Sequence, residues 1–330
     1  MIELAAKRIV VTGGAGFLGS AVCRLLRGRG VDSQRLFVPR HREYDLTSEA
    51  AVRRMYDACT PDIVIHLAAE VGGIGANQAA PGSFFHDNLA MGLHLIEQGR
   101  RRGIEKFVHT GTVCAYPKHC PVPFREEDLW NGYPEETNAP YGIAKKTLFV
   151  MLDAYFRQYG LRSAIVVPSN LYGPGDDFDP TSSHVIPALI RRCEEARAAG
   201  AAGIICWGTG RATREFLHVD DAAEAIVRAA EVMEEPVPIN VGGGEEITVC
   251  DLVMRIAAAC GYKGHIEWDA TKPDGQPRRL LDTSRARRLL DWRPVRRFDD
   301  GLAATVAWWR HQGIPGPAGM SDQSAGSSPP

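Results

Sequence analysis

A tyrosine and a lysine, Tyr141 and Lys145, stand four residues apart in a segment that reads as the start of a helix. Positions i and i+4 share a helix face, so the phenol and the ammonium would lie side by side. An ordinary phenol has a pKa near ~10, and a neighbouring ammonium favours the phenolate and lowers that pKa. The hydroxyl of Thr112, at the end of the preceding strand, could hold a substrate carbonyl beside the tyrosine. This arrangement predicts proton transfer to a carbonyl oxygen.

A glycine-rich turn near the N-terminus predicts a dinucleotide site. Gly13, Gly16 and Gly19 form a G-x-x-G-x-x-G pattern that follows a predicted strand and opens a predicted helix. In such a loop the first glycine permits the tight turn, the second lets the backbone approach the pyrophosphate, and the third packs helix against strand. The phosphates then lie at the positive end of the helix.

The end of the second predicted strand indicates which dinucleotide binds. NAD-dependent enzymes usually place a carboxylate there for the ribose 2′-hydroxyl. Here Arg40 and Arg42 occupy this segment and no acidic residue does. A guanidinium is always charged and can fork onto two oxygens of a 2′-phosphate, so NADP(H) is predicted over NAD. The alternative is an ordinary basic surface loop.

These residues require a scaffold of alternating strands and helices, and the hydrophobic pattern supplies one. An α/β fold is predicted: a Rossmann-type, doubly wound parallel sheet with a smaller, mixed α/β C-terminal substrate lobe. The predicted strands are Arg8–Thr12, Arg35–Val38, Asp62–Leu67, Lys106–Thr110 and Ala164–Pro168. The predicted helices are Phe17–Arg29, Ser48–Ala58, Phe85–Arg102 and Tyr141–Tyr159, and then about 184–198, 219–233, 248–260 and 299–311.

The same pattern divides the chain into three parts. Residues 1–170 are predicted to form the NADP-binding domain and 171–312 the substrate lobe, with the option that the chain crosses back to the first domain. Residues 313–330 are rich in Gly, Pro and Ser with almost no apolar content, which predicts a disordered tail.

Composition excludes several classes of function. With 38 basic and 40 acidic residues the net charge is -2, so no nucleic-acid partner is expected. No stretch approaches the roughly 20 apolar residues of a membrane span, and no signal peptide is apparent, so we expect a cytoplasmic protein. None of the eight cysteines forms a C-x-x-C pair, so no metal site is expected.

Together the motifs resemble a known family. The matching stretches are H-L-A-A at 66–69, V-G-G-I at 71–74, C-A-Y-P-K at 114–118, P-Y-G-I-A-K at 140–145, N-L-Y-G-P at 170–174, S-H-V-I-P-A-L at 183–189, W-G-T-G at 207–210, R-E-F-L-H-V-D-D at 214–221 and K-P-D-G at 272–275. The chain resembles the extended short-chain dehydrogenases/reductases from about residue 8 to 310. Within them it is similar to the GDP-L-fucose synthase branch, which epimerises and reduces a GDP-4-keto-6-deoxy sugar.

The resemblance implies catalytic roles. Tyr141 would protonate the C-4 oxygen as hydride arrives, and Lys145 would hold the nicotinamide ribose. Cys114 and His184 would form the acid/base pair that moves protons at C-3 and C-5, the two carbons made acidic by a 4-keto group. A thiol and an imidazole both titrate near neutrality, which suits that task. Without the resemblance, Cys114 reads as a buried thiol and His184 as a helix N-terminal residue.

The resemblance also implies binding residues and a quaternary state. Cofactor contacts are expected from Gly13, Gly16, Phe17, Leu18, Gly19, Arg40, Leu67, Ala69, Thr110, Lys145, Pro168, Asn170, Leu171 and His184. Contacts to the GDP-sugar substrate are expected from Arg192, Trp207, Arg214 and Asp274. Core packing is the alternative for Trp207 and a surface salt bridge is the alternative for Arg214. Related enzymes pair through the helices matching Phe85–Arg102 and Tyr141–Tyr159, so a homodimer is expected.

Two departures leave the reaction partly open. Thr112 stands where the family usually has serine, and Val113 stands where a second small hydroxyl residue is common. The added bulk allows a related GDP-deoxyhexose or GDP-heptose as substrate, and an enzyme that only epimerises or only reduces remains an alternative. A non-catalytic NADP sensor is disfavoured because the Tyr/Lys pair and the substrate arginines are all present.

Overall fold

The computed structural model describes residues 1–180, 182–272 and 275–312, without the side chain of Ile74. Asp274 and the predicted tail 313–330 therefore lie outside the described residues. The strands are β1 Ile9–Thr12, β2 Leu36–Phe37, β3 Ile63–His66, β4 Lys106–Thr110, β5 Ser163–Pro168, β6 Asn170–Tyr172, β7 Gly203–Trp207, β8 Thr213–His218, β9 Pro238–Val241, β10 Glu246–Thr248 and β11 His265–Asp269. The helices are α1 Phe17–Gly28, α2 Glu49–Cys59, α3 Ile74–Ala79, α4 Pro81–Arg101, α5 Ala139–Tyr159, α6 Val185–Ala198, α7 Val219–Val232, α8 Val249–Cys260, α9 Ser284–Leu290 and α10 Phe298–His311.

A six-stranded sheet in the order β2-β1-β3-β4-β5-β9 forms the centre of the molecule, and every pairing in it is parallel. Strands β1, β3, β4 and β5 are buried along their whole length, as expected for a parallel sheet covered on both faces. The predicted fold class is confirmed. The strand order reverses at β1, because β2 lies on one side of β1 and β3 on the other. At such a reversal a crevice opens at the carboxyl ends of the two central strands, here β1 and β3.

Helices cover both faces of this sheet. One core joins the sheet to α1, α7 and α9, and the other joins it to α2, α4 and α5. Helices α4 and α5 lie unusually close, because a Cβ at Gly92 would come within 2.0 Å of the Leu148 side chain. Helix α5, which carries Tyr141 and Lys145, is therefore held by close packing along its length.

The remaining elements form a second lobe beyond the carboxyl edge of the sheet. It contains the mixed sheet β10-β8-β6, the two-stranded sheet β11-β7, and helices α6, α8 and α10 around their own core. Between β8 and β10 the chain crosses back, since α7 packs on α1 and β9 pairs with β5. The first sheet is thus completed by residues that follow the start of the second lobe.

Element boundaries differ modestly from the sequence-based expectations. The helix expected at Phe85–Arg102 begins earlier, at Pro81, because proline is well tolerated in the first turn of a helix. The second strand is shorter than expected, because Ser33–Arg35 form a 3-10 turn capped by the Asp32 carboxylate. Among the described residues no helix is long and apolar enough to cross a membrane.

Candidate active site

The glycine turn after β1 has the geometry that a dinucleotide requires. Gly13 has a φ of 69°, and a Cβ there would lie 2.8 Å from the backbone nitrogen of Ala68. A Cβ at Gly19 would lie 2.0 Å from the carbonyl oxygen of Gly13. No side chain caps α1, which begins at Phe17 after Gly16, so its first N–H groups can serve a phosphate. These residues fit a bound pyrophosphate.

The loop after β2 presents the two predicted arginines differently. The guanidinium of Arg40 is exposed and makes no ion pair with any described residue. That of Arg42 lies 3.4 Å from the Glu43 carboxylate. Arg40 is therefore the better placed of the two to meet a 2′-phosphate, whereas Arg42 already has a counter-ion.

Helix α5 packs directly on the turn that follows β4. A Cβ at Gly142 would lie 2.2 Å from the carbonyl oxygen of Cys114, so only glycine allows this approach. The backbone N–H of Cys114 donates to the Thr112 hydroxyl at 3.2 Å, which fixes the turn. The Thr112 hydroxyl also lies close to the phenol of Tyr141 and lowers its pKa. The structure therefore brings the predicted hydroxyl, thiol and phenol together, and Gly142, which sequence reasoning missed, makes this possible.

The electrostatics of the pair on α5 differ from the sequence-based argument. Burial, followed by the nearby Cys114, raises the pKa of Tyr141, and the Thr112 hydroxyl is the influence that lowers it. The expectation that Lys145 lowers the pKa of this phenol is therefore wrong for the protein alone. Lys145 is itself buried, and desolvation lowers its pKa to about 7. Loss of hydration dominates both groups because neither has a counter-ion among the described residues.

Two buried histidines lie beneath Lys145, and sequence reasoning did not find them. His66 and His109 are register partners on β3 and β4, and their rings are stacked with centroids 5.8 Å apart. The Nε2–H of His109 donates to the backbone carbonyl of Lys145 at 3.3 Å, which ties α5 to the sheet. Burial, and then the charge of Lys145, lowers the pKa of both rings, so both are neutral near neutrality.

Cys114 has a second polar neighbour that sequence reasoning missed. Nη1 of Arg279 lies 3.9 Å from the Cys114 sulfur, although the two residues are 165 positions apart. No local pattern marks Arg279, because it comes from a loop that only the tertiary fold carries to this edge of the sheet. The thiol is half-buried between the phenol and this guanidinium.

His184 immediately precedes α6, where it is the N-terminal flanking residue of the helix. The backbone carbonyl oxygen of the neighbouring Ser183 lies 3.8 Å from the position that a Cβ would take on Gly73, in the V-G-G-I segment. The ring is solvent-accessible, yet desolvation by the surrounding protein lowers its pKa while Asp177 opposes the shift. No hydrogen bond among the described residues joins His184 to Cys114. The structure therefore shows no direct contact between the two predicted acid/base groups among the described residues.

The residues expected to bind the nucleotide sugar line the second lobe. Arg192 donates to the carbonyl oxygen of Ile205 at 2.6 Å, beside the end of β7. Trp207 is 65% exposed, which contradicts the alternative of core packing, and the Lys272 ammonium lies 5.5 Å from the centre of its ring. Arg214 donates to the carbonyl oxygen of Gln276 at 2.6 Å rather than standing only in a surface salt bridge.

The remaining predicted cofactor contacts lie along the carboxyl edge of the sheet. They sit at the ends of β3, β4 and β5 and in β6, where an extended ligand crossing the crevice would pass. These residues are Leu18, Leu67, Ala69, Thr110, Pro168, Asn170 and Leu171, with Leu18 in the first turn of α1. The hydroxyl of Thr110 is buried without a hydrogen-bond partner among the described residues.

Comparisons with known proteins agree with this geometry. Residues 9–242 match the NAD dependent epimerase/dehydratase family. GDP-L-fucose synthase 1 of Arabidopsis thaliana is 40% identical over 302 residues, covering 92% of this chain and 93% of the relative. A solved GDP-6-OMe-4-keto-L-xylo-heptose reductase from C. jejuni superposes with a TM-score of 0.87 at 25% identity, covering 93% and 99% of the two chains. A GDP-L-fucose synthetase from Naegleria fowleri bound to NADP gives a TM-score of 0.83 at 25% identity, covering 93% and 95%.

Proposed function

The chain belongs to the NAD dependent epimerase/dehydratase family, and on that basis we propose a bifunctional reaction. The protein epimerises C-3 and C-5 of a GDP-4-keto-6-deoxy sugar and reduces C-4 with NADPH, giving GDP-L-fucose or a close relative. The resemblance drawn from the sequence motifs is confirmed by the family match and by the 40%-identical GDP-L-fucose synthase. NADP(H) is the cofactor, in keeping with the NADP-bound relative.

One observation carries the proposal. The Thr112 hydroxyl, the Cys114 thiol and the Tyr141 phenol lie together at the carboxyl edge of the sheet, the edge that also carries the dinucleotide turn. A reductase needs only the phenol and its supporting groups, so a thiol in contact with the same cluster supports a second chemistry. A thiol is a suitable base for a carbon acid beside a carbonyl.

For the reduction, the protein supplies a proton and a binding site for the carbonyl. Tyr141 and Thr112 would hold the C-4 oxygen, and Tyr141 would donate the proton that this oxygen gains. The raised pKa of Tyr141 keeps it protonated near neutrality, which suits a proton donor. Burial lowers the pKa of Lys145, and hydrogen bonds from its ammonium to a bound ribose would favour the protonated form again. NADPH supplies the hydride when bound.

For the epimerisation, two groups must act on opposite faces of a carbon. Cys114 would remove a proton from C-3 or C-5 while the electron pair moves onto the C-4 oxygen. His184 would return a proton from the other face. The two groups come from different segments, the turn after β4 and the start of α6, as removal and return of a proton on opposite faces require.

A second candidate function is reduction alone. The C. jejuni relative is a GDP-6-OMe-4-keto-L-xylo-heptose reductase, and its backbone follows that of this chain closely. Here Thr112 stands where the family usually has serine, and its added methyl group suits a different sugar. Val113, the other departure, is buried in the core. That enzyme would oxidise NADPH without exchanging hydrogen at C-3 or C-5.

One incubation separates the two candidates. The protein, NADPH and GDP-4-keto-6-deoxy-mannose are combined in deuterated water, and the product is analysed by NMR and mass spectrometry. Bifunctional turnover places deuterium at C-3 and C-5 and inverts both centres. NADPH oxidation that leaves both centres unlabelled supports reduction alone and rejects the epimerase assignment.

The proposal includes a homodimer. Apolar side chains on α4 and α5 remain exposed in the single chain: Phe85 is 37% exposed, Leu93 45%, Val150 53% and Tyr159 48%. Exposed apolar side chains on two adjacent helices are the kind of surface that a second copy covers. Pairing through these helices would support α5, and with it Tyr141.

A further inference from the structure

Arg279 is a buried cation behind the Cys114 thiol that the proposed reaction leaves without a role. It is 9% exposed, its Nη1 lies 3.9 Å from the Cys114 sulfur, and its Nε donates to Oε1 of Gln276 at 2.8 Å. Its guanidinium makes no ion pair within the described part of the chain. A buried charge without a counter-ion is unfavourable, so this cation favours the electron-rich Cys114 sulfur as its neighbour.

Gln276 fixes the direction of this guanidinium. Its Nε2 donates to the carbonyl oxygens of Pro117 at 3.3 Å and Lys118 at 3.0 Å, just after the Cys114 turn. The backbone carbonyl oxygen of Gln276 accepts a hydrogen bond from Arg214 at 2.6 Å. Both side-chain amide atoms of Gln276 are hydrogen-bonded, which holds this residue in one orientation. Gln276 thereby connects the Cys114 turn, Arg279 and Arg214, the arginine predicted to bind substrate.

The segment that carries Arg279 is anchored from the other side. The N–H of Leu281 donates to the buried carboxyl of Glu215 at 3.1 Å, and Phe124 pairs with this segment through its own N–H and carbonyl. Glu215 also accepts from the N–H of Gly244 at 2.8 Å. The place of Arg279 is therefore set by three separate parts of the chain.

We propose that Arg279 is a positioning residue for the epimerisation, an inference that rests on the proposed function. It directs the Cys114 sulfur at the sugar and supplies a positive charge beside it, with Gln276 fixing its orientation. A cation about 4 Å from sulfur stabilises the thiolate, the form that acts as a base. In the step, the C–H bond breaks, an S–H bond forms, and the electron pair moves to the C-4 oxygen. Reduction by Tyr141 does not require Arg279.

The first test needs no sugar substrate. Arg279→Met removes the charge at similar length, Arg279→Lys retains the charge, and Arg278→Met is the matched control, because Arg278 is exposed and bound to Glu246. Each protein is treated with neutral iodoacetamide near neutral pH, and alkylation is located by peptide mass spectrometry. The exposed thiol of Cys250 serves as an internal reference.

We expect Arg279→Met to slow alkylation of Cys114 about tenfold relative to Cys250, because the positive charge beside the reacting sulfur is lost. Arg279→Lys should restore the rate to within about threefold, and Arg278→Met should match the wild type. Retained NADPH binding verifies folding. A Met variant alkylated as fast as wild type, or a Lys variant no faster than the Met variant, overturns the role of the charge.

The second test uses GDP-4-keto-6-deoxy-mannose in deuterated water. Arg279→Met should slow deuterium entry at C-3 and C-5 by about tenfold or more while NADPH oxidation continues, giving partly epimerised product. Unchanged exchange overturns the inference. Wild-type protein that exchanges no deuterium overturns the proposed function and the epimerisation role together. The two failures are distinguishable because the alkylation rates still report whether Arg279 controls the thiol.

Discussion

Tyr141 and Cys114 touch the same small cluster yet serve different steps, so mutation should separate them. Tyr141→Phe removes only the phenolic oxygen and should abolish NADPH oxidation while solvent deuterium still enters C-3 and C-5. Cys114→Ser replaces the thiol with a hydroxyl that holds its proton far more tightly, so it should slow that exchange. General acid/base groups contribute about 10²–10⁴-fold each, which puts both effects well outside error.

The comparison is made by NMR and mass spectrometry of products formed in deuterated water. His184→Ala belongs in the same series, since it should impair exchange as Cys114→Ser does. Exchange that persists undiminished in both of these variants would mean that neither Cys114 nor His184 carries the epimerisation.

Arg40 should control the choice of cofactor. Its guanidinium has no ionic partner among the described residues, so a 2′-phosphate would gain a charge-assisted contact there. Arg40→Ala should weaken NADPH binding about tenfold to a hundredfold and leave NADH binding nearly unchanged. Arg42→Ala is the control, because Arg42 already faces Glu43. Fluorescence titration gives both affinities, and an unchanged NADPH/NADH ratio in Arg40→Ala would contradict the assignment.

Asp176 should make stability depend on pH. It is buried, one carboxyl oxygen lacks a partner among the described residues, and burial raises its pKa from 3.8 to about 7. Between these values the folded protein keeps a proton that the unfolded chain has lost. The free energy of unfolding therefore falls as pH rises through this range and levels off above it.

The test compares wild type with Asp176→Asn by urea unfolding at mildly acidic and mildly alkaline pH. The advantage of wild type over the variant should shrink on going to the alkaline value, by on the order of 2 kcal/mol. Asp153→Asn, at an exposed residue paired with Arg157, should show no such change. A difference between wild type and Asp176→Asn that is the same at both pH values refutes the prediction.

At the scale of elements, Gly142 sets the distance between α5 and the Cys114 turn. Alanine usually stabilises a helix relative to glycine, but here its Cβ would lie 2.2 Å from a backbone oxygen. Gly142→Ala should cost about 1–3 kcal/mol and displace Tyr141, lowering kcat about a hundredfold. Gly82→Ala on α4, where a Cβ meets nothing within 4 Å, should leave stability equal or higher.

Urea unfolding and NADPH-oxidation kinetics measure both variants. If Gly142→Ala reduces as fast as wild type, the close approach of α5 is not what places the phenol.

Most helices and strands, and the motifs at their ends, could be predicted from the sequence, because the patterns that mark them are local in the chain. The glycine turn, the strand-end hydroxyl and the Tyr/Lys spacing each adjoin a strand end or helix start that hydrophobic periodicity reveals. Gln276 and Arg279 carry no such signal, since their meaning depends on a loop brought to Cys114 across 165 positions. Strand β9 is four residues long, and nothing within it indicates that it pairs with β5.

For the whole molecule, the prediction is a dimer through α4 and α5. Light scattering at micromolar concentration should give about twice the 36.0 kDa of one chain. Val150→Glu combined with Leu93→Glu places charges on the exposed apolar surface of these helices and should yield monomers. Met254→Glu is the control, because Met254 is equally exposed but lies on α8 in the second lobe. Wild-type protein that scatters as a single chain would refute the dimer.

The return of the chain to its first sheet also governs how the protein can fold as it is synthesised. Strand β5 ends at Pro168, but its partner β9 is complete only at Val241, about 70 residues later. At typical ribosomal rates of about 5–20 residues per second, that interval lasts about 4–14 s. Throughout it, β5, whose residues are all buried in the finished protein, has one open edge of unpaired backbone groups. The nascent chain is therefore most prone to aggregate while the second lobe is still emerging.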